Sequence, residues 1–220
     1  MTAPTIEPVI EPVQAMDAAF AGRACQLLDQ TGSPRPMALR RWTGAVDATD
    51  RTLLLERCRA RTLDIGCGPG RLVAGLAMLE VPALGIDVSH EAVRQARQRG
   101  ALAIRRNVFA PVPGEGRWDC ALLADGNIGI GGRPVRLLGR VRRIVGPGGR
   151  VVVELDAAGT DVVHHRWRLR VAGRVTPVFD WAVVGLDAIE RLAVTTGFVV
   201  EDVASVGDRH AAVLRQVATR

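Results

Sequence analysis

Three alternating glycines set the strongest constraint on this chain. They stand in Leu63-Asp64-Ile65-Gly66-Cys67-Gly68-Pro69-Gly70-Arg71, where a short apolar strand over 61–65 gives way to a helical pattern over 70–79. Glycine lets backbone approach a ligand closely. In open α/β sheets, ligands settle beyond the carboxyl ends of the strands, where strand order switches. One glycine would suit an ordinary strand-to-helix turn; three, with an acid two positions ahead of the first, mark a ligand loop. A second acid, Asp87, stands in Leu84-Gly85-Ile86-Asp87-Val88, 21 residues after Gly66. A carboxylate at the end of that strand can accept both hydroxyl protons of a ribose. Ser89 already suits the cap of the next helix, which leaves Asp87 for the ligand. Together the two features point to a molecule carrying adenosine.

The rest of the chain predicts the frame such a loop needs. Strands are expected at 61–65, 83–88, 102–106, 120–124 and 150–155, with helices at 70–79, 89–99 and 135–145 between them. Repeated β-α-β units predict a mostly parallel sheet with helices on both faces. A helix over 49–59, capped by Asp47 or Thr49, precedes them. After residue 160 the rhythm changes. His165 to Val171 and part of Arg174 to Val184 alternate polar and apolar around the Ala172-Gly173 turn. A helix over 187–196 is followed by strands at 199–206 and 210–217 joined through Gly207-Asp208, so the last strands read as antiparallel neighbours. Upstream, residues 1–12 carry Pro4, Pro8 and Pro12 and read as a loose tail. Stretches 24–30 and 37–42 pair as a hairpin across Thr31-Gly32-Ser33-Pro34, or the first ends a short helix. The division expected is a tail and cap over 1–45 and a main domain over 46–220. Within it, 164–184 is a β insertion, either a lid or a ribbon lying on the sheet.

Composition removes several chemistries. The chain has 29 basic residues, every one an arginine, and no tyrosine. A Walker-type lysine, a kinase lysine and a Schiff-base lysine are all excluded, as is the Tyr and Lys pair of short-chain dehydrogenases. Heavy use of Ala, Val, Gly and Arg matches a GC-rich bacterial genome. That bias accounts for part of the pI near 10.6, so the +6 charge is not read as a nucleic-acid signal. Cys25, Cys58, Cys67 and Cys120 are isolated, and with four scattered histidines they make no zinc-ligand spacing. No metal is expected, and the thiols read as small apolar side chains in a reducing cytoplasm. Neither a signal peptide nor a membrane span is indicated.

At the glycine loop the sequence resembles the class I S-adenosylmethionine-dependent methyltransferases, whose first motif is similar to LDIGCGPGRL and whose ribose acid corresponds to Asp87. A nicotinamide loop usually reads GxGxxG, with pyrophosphate at the helix N-terminus; GCGPG does not. Trp118-Asp119 resembles the opening of the family's fourth strand, and Pro147-Gly148-Gly149 its turn before the fifth. The resemblance implies a Rossmann-like, doubly wound, seven-stranded, mostly parallel α/β sheet with an antiparallel last strand. It also implies S-adenosyl-L-methionine as cofactor and S-adenosyl-L-homocysteine as its product. Carried over by position, the cofactor site comprises Asp64, Gly66, Cys67, Gly68, Gly70, Asp87, Val88, Asn107, Val108, Ala124 and Asp125. Asn107 stands where the family often has Asp beside the adenine amine; an amide also hydrogen-bonds.

By the same resemblance, the loop Ala124-Asp125-Gly126-Asn127-Ile128-Gly129-Ile130-Gly131-Gly132 faces the methionine end of the cofactor and the acceptor. It lacks the Asn-Pro-Pro-aromatic motif of enzymes that methylate amino groups of nucleic acids. Methyl transfer from a sulfonium is an in-line displacement, so positioning and water exclusion supply much of the acceleration. A base is needed only for a weakly acidic acceptor. Candidates are Asp125, His164, His165 and His210, with Asn127 as an orienting group; Asp125 and His165 are taken forward as catalytic. The expected function is methyl transfer to oxygen or nitrogen of a small molecule, with neither nucleic acid nor membrane as partner. Three other readings compete. One is a non-catalytic S-adenosylmethionine-binding partner protein. Another is an RNA or protein methyltransferase, and RNA binding would weaken steeply with salt. A nicotinamide oxidoreductase comes last.

Overall fold

The computed structural model describes residues 10–217. In chain order the elements are α1 (Pro12–Phe20), β1 (Cys25–Leu28), β2 (Pro34–Arg35), α2 (Leu39–Thr43), α3 (Ala48–Leu53), β3 (Thr62–Ile65), α4 (Arg71–Met78), β4 (Ala83–Asp87), α5 (His90–Gln98), β5 (Ala103–Arg105), β6 (Trp118–Leu123), α6 (Pro134–Ile144), β7 (Val145–Leu155), β8 (Val162–Val171), β9 (Arg174–Val175), β10 (Phe179–Val184), α7 (Leu186–Thr195), β11 (Phe198–Val206) and β12 (Arg209–Gln216).

The main sheet has seven strands in the order β11-β12-β7-β6-β3-β4-β5. From β7 to β5 every pairing is parallel, whereas β12 runs antiparallel to both β7 and β11. This is the doubly wound sheet the sequence predicts. Its faces follow the period of two expected of strands. On β6, Ala121 and Leu123 pack toward α6 and α7, while Cys120 and Leu122 pack toward α3 and α4. Strand order reverses between β3 and β6, which opens a crevice beyond their carboxyl ends.

A second, antiparallel sheet has the order β10-β8-β1-β2, with β9 on β8. It joins the N-terminal segment to the 162–184 ribbon: Leu27 lies opposite Leu169, and Phe179 opposite Trp167. α1 closes over it through Ile10, Ala15, Leu169 and Val171.

Three expectations change. The tail expected over 1–12 gives way at its end: Ile10 is buried and Pro12 begins α1, whose Glu11 and Gln14 form a reciprocal cap; residues 1–9 lie outside the described residues. The hairpin partner of β1 is Pro34–Arg35 rather than 37–42. Asp29 closes the turn early, its Oδ1 accepting the amides of Thr31 and Ser33, and this frees 39–43 to coil as α2. The helix expected over 49–59 ends at Leu53 and tightens into a 3-10 turn at Leu55–Arg57. Leu53, Leu54 and Leu55 are all buried, and three successive side chains cannot share one face of an α-helix.

Candidate functional site

The glycine loop leaves β3 and turns back beneath β4. The amides of Gly66 and Cys67 both donate to the Ile86 carbonyl, at 2.8 and 3.1 Å. Gly66 has φ +75°, and a Cβ there would lie 2.6 Å from Asn127 Nδ2. That close approach is used: Asn127 Nδ2 donates to the carbonyls of Ile65 and Gly66, each at 2.9 Å. The residue expected to orient substrate therefore clamps the loop after β6 to the loop after β3.

Asp87 ends β4 with both oxygens hydrogen-bonded. Oδ2 accepts the Gly68 amide at 2.9 Å and Oδ1 the Ser89 amide at 2.8 Å. Each carboxylate oxygen can accept again, so two further hydroxyl protons can be taken. Burial pushes the Asp87 carboxyl up, and the amides of Ser89, Gly68 and Val88 oppose that. Asp64 is wholly buried, and its Oδ2 has no hydrogen-bond partner among the described residues. Burial, then the charges of Asp125 and Asp87, raise its carboxyl well above the usual range. An ionised acid held this way needs a cation beside it.

Asp125 follows β6 in the left-handed region, φ +53°, and sits in a ring of charge that the sequence did not disclose. Its Oδ2 accepts from Arg71 at 2.7 Å, and its Oδ1 lies 2.8 Å from Arg41 of α2. Arg71 also pairs with the buried Asp50 of α3. Arg209 of β12 donates to Asp50 at 2.9 Å and to Glu154 at 2.8 Å. Glu154 closes the ring by accepting the Asp125 amide at 2.7 Å. Burial works to raise the Glu154 carboxyl, yet Arg209 and the other partners hold it below its ordinary value. Three arginines thus balance three acids drawn from six parts of the chain. One signal was readable: the Asp47 and Asp50 spacing of a helix cap.

A cavity of about 760 Å³ joins these groups to the second sheet. Asp64, Gly66, Cys67, Gly68, Asp87, Val88, Asn107, Val108, Ala124 and Asp125 all line it. Gly70, expected with them, instead packs against Ala96 at the start of α4. Asn107 uses its Oδ1 to accept the Phe109 amide. The Cys67 thiol is pushed well up by burial. His165 is not among the lining residues; its ring stacks on Trp167, centroids 4.5 Å apart. His164 donates from Nδ1 to the Gly132 carbonyl, and His210 shares a hydrogen bond with Ser205. Neither lines the cavity.

The glycines after β6 serve close packing. A Cβ on Gly129 would collide with the Ala182 carbonyl, and Ile130 bridges to Trp181. The loop is pressed onto β10, which becomes a wall of the cavity. α1 also lines the cavity and is anchored by Asp17, whose Oδ1 accepts from Ser89 Oγ at 2.5 Å and from the Glu91 amide at 3.0 Å.

Residues 62–149 match the family model described as a methyltransferase domain. Among solved structures, an S-adenosylmethionine-dependent methyltransferase from Bacteroides fragilis, in complex with S-adenosyl-L-homocysteine, superposes with TM-score 0.77 at 16% identity, over 96% of this chain and 99% of that one. The 1,6-didemethyltoxoflavin-N1-methyltransferase of Burkholderia thailandensis gives TM-score 0.60 at 16% identity, over 98% and 95%. A methyltransferase from Streptomyces caelestis gives 0.62 at 15%, over 80% and 92%. No curated protein matches the chain. The fold is that of the class I methyltransferases. The residues that match the methyltransferase-domain model include the glycine loop.

Among the described residues, no cluster of side chains is arranged to hold a metal ion, and no helix is long and apolar enough to cross a membrane.

Proposed function

We propose that this chain transfers a methyl group from S-adenosylmethionine to oxygen or nitrogen of a small-molecule acceptor. The observation that carries the reading is Asp64, a wholly buried acid on the cavity wall with one oxygen unpartnered. The cofactor supplies a methyl group on a positively charged sulfur, together with an ammonium and a ribose. Asp64 answers the positive charge, and Asp87 accepts the ribose hydroxyls with the lone pairs its amide partners leave open. Val88 and Val108 give apolar contact to the base, with Asn107 at its edge. Gly66, Cys67, Gly68 and Ala124 offer backbone rather than bulk.

For catalysis, the chain's contribution is alignment and exclusion of water. Asp125 is held at both oxygens by guanidinium groups, so its assigned part is to fix Arg41 and Arg71 rather than to remove a proton. His165 is assigned to steady the Trp167 ring. Two of the similar structures bear on the acceptor. The Burkholderia protein holds 1,6-didemethyltoxoflavin, and another similar structure is an amino pentose methyltransferase. Both are small-molecule enzymes, which favours that acceptor class here.

Thermal unfolding with S-adenosylhomocysteine, S-adenosylmethionine and NAD in parallel tests the reading. A ligand at 100 times its dissociation constant adds about 2.7 kcal/mol, which for this size raises the melting temperature by roughly 5 to 10 °C. The two sulfur cofactors alone are expected to do so. A rise with NAD only would overturn the assignment.

A further inference from the structure

We propose that the acceptor is a planar aromatic molecule bearing a hydrogen-bond-accepting oxygen, seated between the N-terminal helices and the second sheet and held at that oxygen by Arg41 and Trp42. This rests on the methyl-transfer reading above. Aromatic side chains are scarce in this chain: four Trp, four Phe and no Tyr. Five of those eight, Phe20, Trp42, Trp167, Phe179 and Trp181, line this cavity. None of the five comes from the glycine loop or from β3, β4 or β5; they belong to α1, α2, β8 and β10. The aromatic wall is therefore built from other elements than those that carry Asp64 and Asp87.

Its geometry suits a flat ligand. Trp167 and Phe179 lie directly opposite each other in the β8 and β10 register, and Trp181 follows two residues along, on the same face. His165 stacks on Trp167 with 17° between planes, which fixes that ring's tilt. Met16 and Met37 also line the cavity, and thioethers make favourable contacts with ring edges. Offset or edge-on ring pairs gain attraction beyond the area they bury. A saturated chain would not draw on that gain.

Polarity adds the oxygen. Arg41 Nε and Trp42 Nε1 are buried donors without a partner among the described residues, consecutive in α2, and both residues line the cavity. α2 is braced in place: Arg99 donates to the carbonyls of Thr43 and Gly44, and Arg41 is held by Asp125. Buried donors left unmade are costly, and oxygen atoms of a ligand can answer them.

The test titrates the full chain calorimetrically with 2-naphthoate, 2-methylnaphthalene and decanoate, with and without S-adenosylhomocysteine. With S-adenosylhomocysteine bound, 2-naphthoate is expected to bind roughly tenfold tighter than either other probe and to quench tryptophan emission. Trp167→Ala, or the milder Phe179→Leu, is expected to weaken naphthoate by roughly tenfold while leaving S-adenosylhomocysteine affinity within about twofold. Arg41→Ala is expected to erase the preference for naphthoate over 2-methylnaphthalene. Equal binding of decanoate, or no naphthoate binding where S-adenosylhomocysteine still binds, overturns this inference alone. Failure of S-adenosylhomocysteine to bind overturns the methyl-transfer reading, and the acceptor assignment with it.

Discussion

Residues 64–68 and 86–89 form one wall of the cavity; α1, α2, β8 and β10 form the other. The first wall is backbone and carboxylate: amides of the glycine loop turned onto β4, Asp64 beneath, Asp87 at the edge. The second is ring and thioether, assembled from segments about 140 residues apart that pair only as β1 against β8. A wall made of one local strand-loop-helix unit can keep its chemistry while the wall facing it is rebuilt. That is how one fold serves many acceptors with one cofactor. The charged ring of Arg41, Arg71, Arg209, Asp50, Asp125 and Glu154 fastens the two walls together.

Breaking that fastening is expected to have the largest effect on stability. Asp50→Ala leaves buried Arg71 and Arg209 short of a partner, and losing one member of a buried pair costs about 3 to 5 kcal/mol. A scanning calorimeter should record a fall of roughly 10 °C; a loss within error would show the ring to be ornamental.

Asp87→Ala separates the walls. It is expected to weaken S-adenosylhomocysteine by roughly ten to a hundredfold, the worth of hydrogen bonds to a charged group. Binding of 2-naphthoate to the aromatic wall should stay near wild type, and parallel titrations check both. If the two affinities fell together, the walls would not be independent.

Asp64→Asn sharpens the contrast through pH. The folded carboxyl lies above its ordinary value because of burial, then Asp125 and Asp87. The folded state therefore binds the proton more tightly, and the wild type loses stability as pH rises from the ordinary carboxylate pKa of about 4 toward the raised one. The amide variant does not lose it. Melting temperatures of the two ligand-free proteins should converge at low pH and separate at pH 7 in favour of the variant, while its cofactor binding falls. A higher wild-type melting temperature at pH 7 would count against a cation site at Asp64.

The smallest effect expected is that of Asp17→Ala, which loosens α1 from the start of α5. Ser89 still caps that helix by accepting the Ala92 amide, so the loss is about 1 kcal/mol. Hydrogen exchange should speed in α1 before the main sheet responds.

The sequence disclosed the glycine-loop wall because every determinant there is local. Alternating glycines, an acid at a strand end and the helix cap at Ser89 fall within 26 residues of one another, from 64 to 89. The helices and strands of the main sheet were legible for the same reason, as was the antiparallel β11 and β12 pair. The other wall was not. Trp167 and Trp181 read as an alternating ribbon, but nothing near them announced β1 as a partner. Asp29's side chain closed the first hairpin earlier than its turn residues foretold. Arg41 and Arg209 carry no pattern that distinguishes them from 27 other arginines. His165 drew notice by residue type, yet the ring it serves is Trp167.

The central claim is that a cavity with these two walls moves a methyl group, and isotope transfer addresses it most directly. Purified full chain, given S-adenosylmethionine labelled in its methyl group and a panel of hydroxy- and amino-naphthoates, is expected to label at least one of them. S-adenosylhomocysteine should accumulate in equal amount, and both signals should collapse in Asp87→Ala. Tight S-adenosylmethionine binding with no labelled product, across aromatic, aliphatic and sugar acceptors alike, would contradict the account and make the chain a binding protein on a methyltransferase fold.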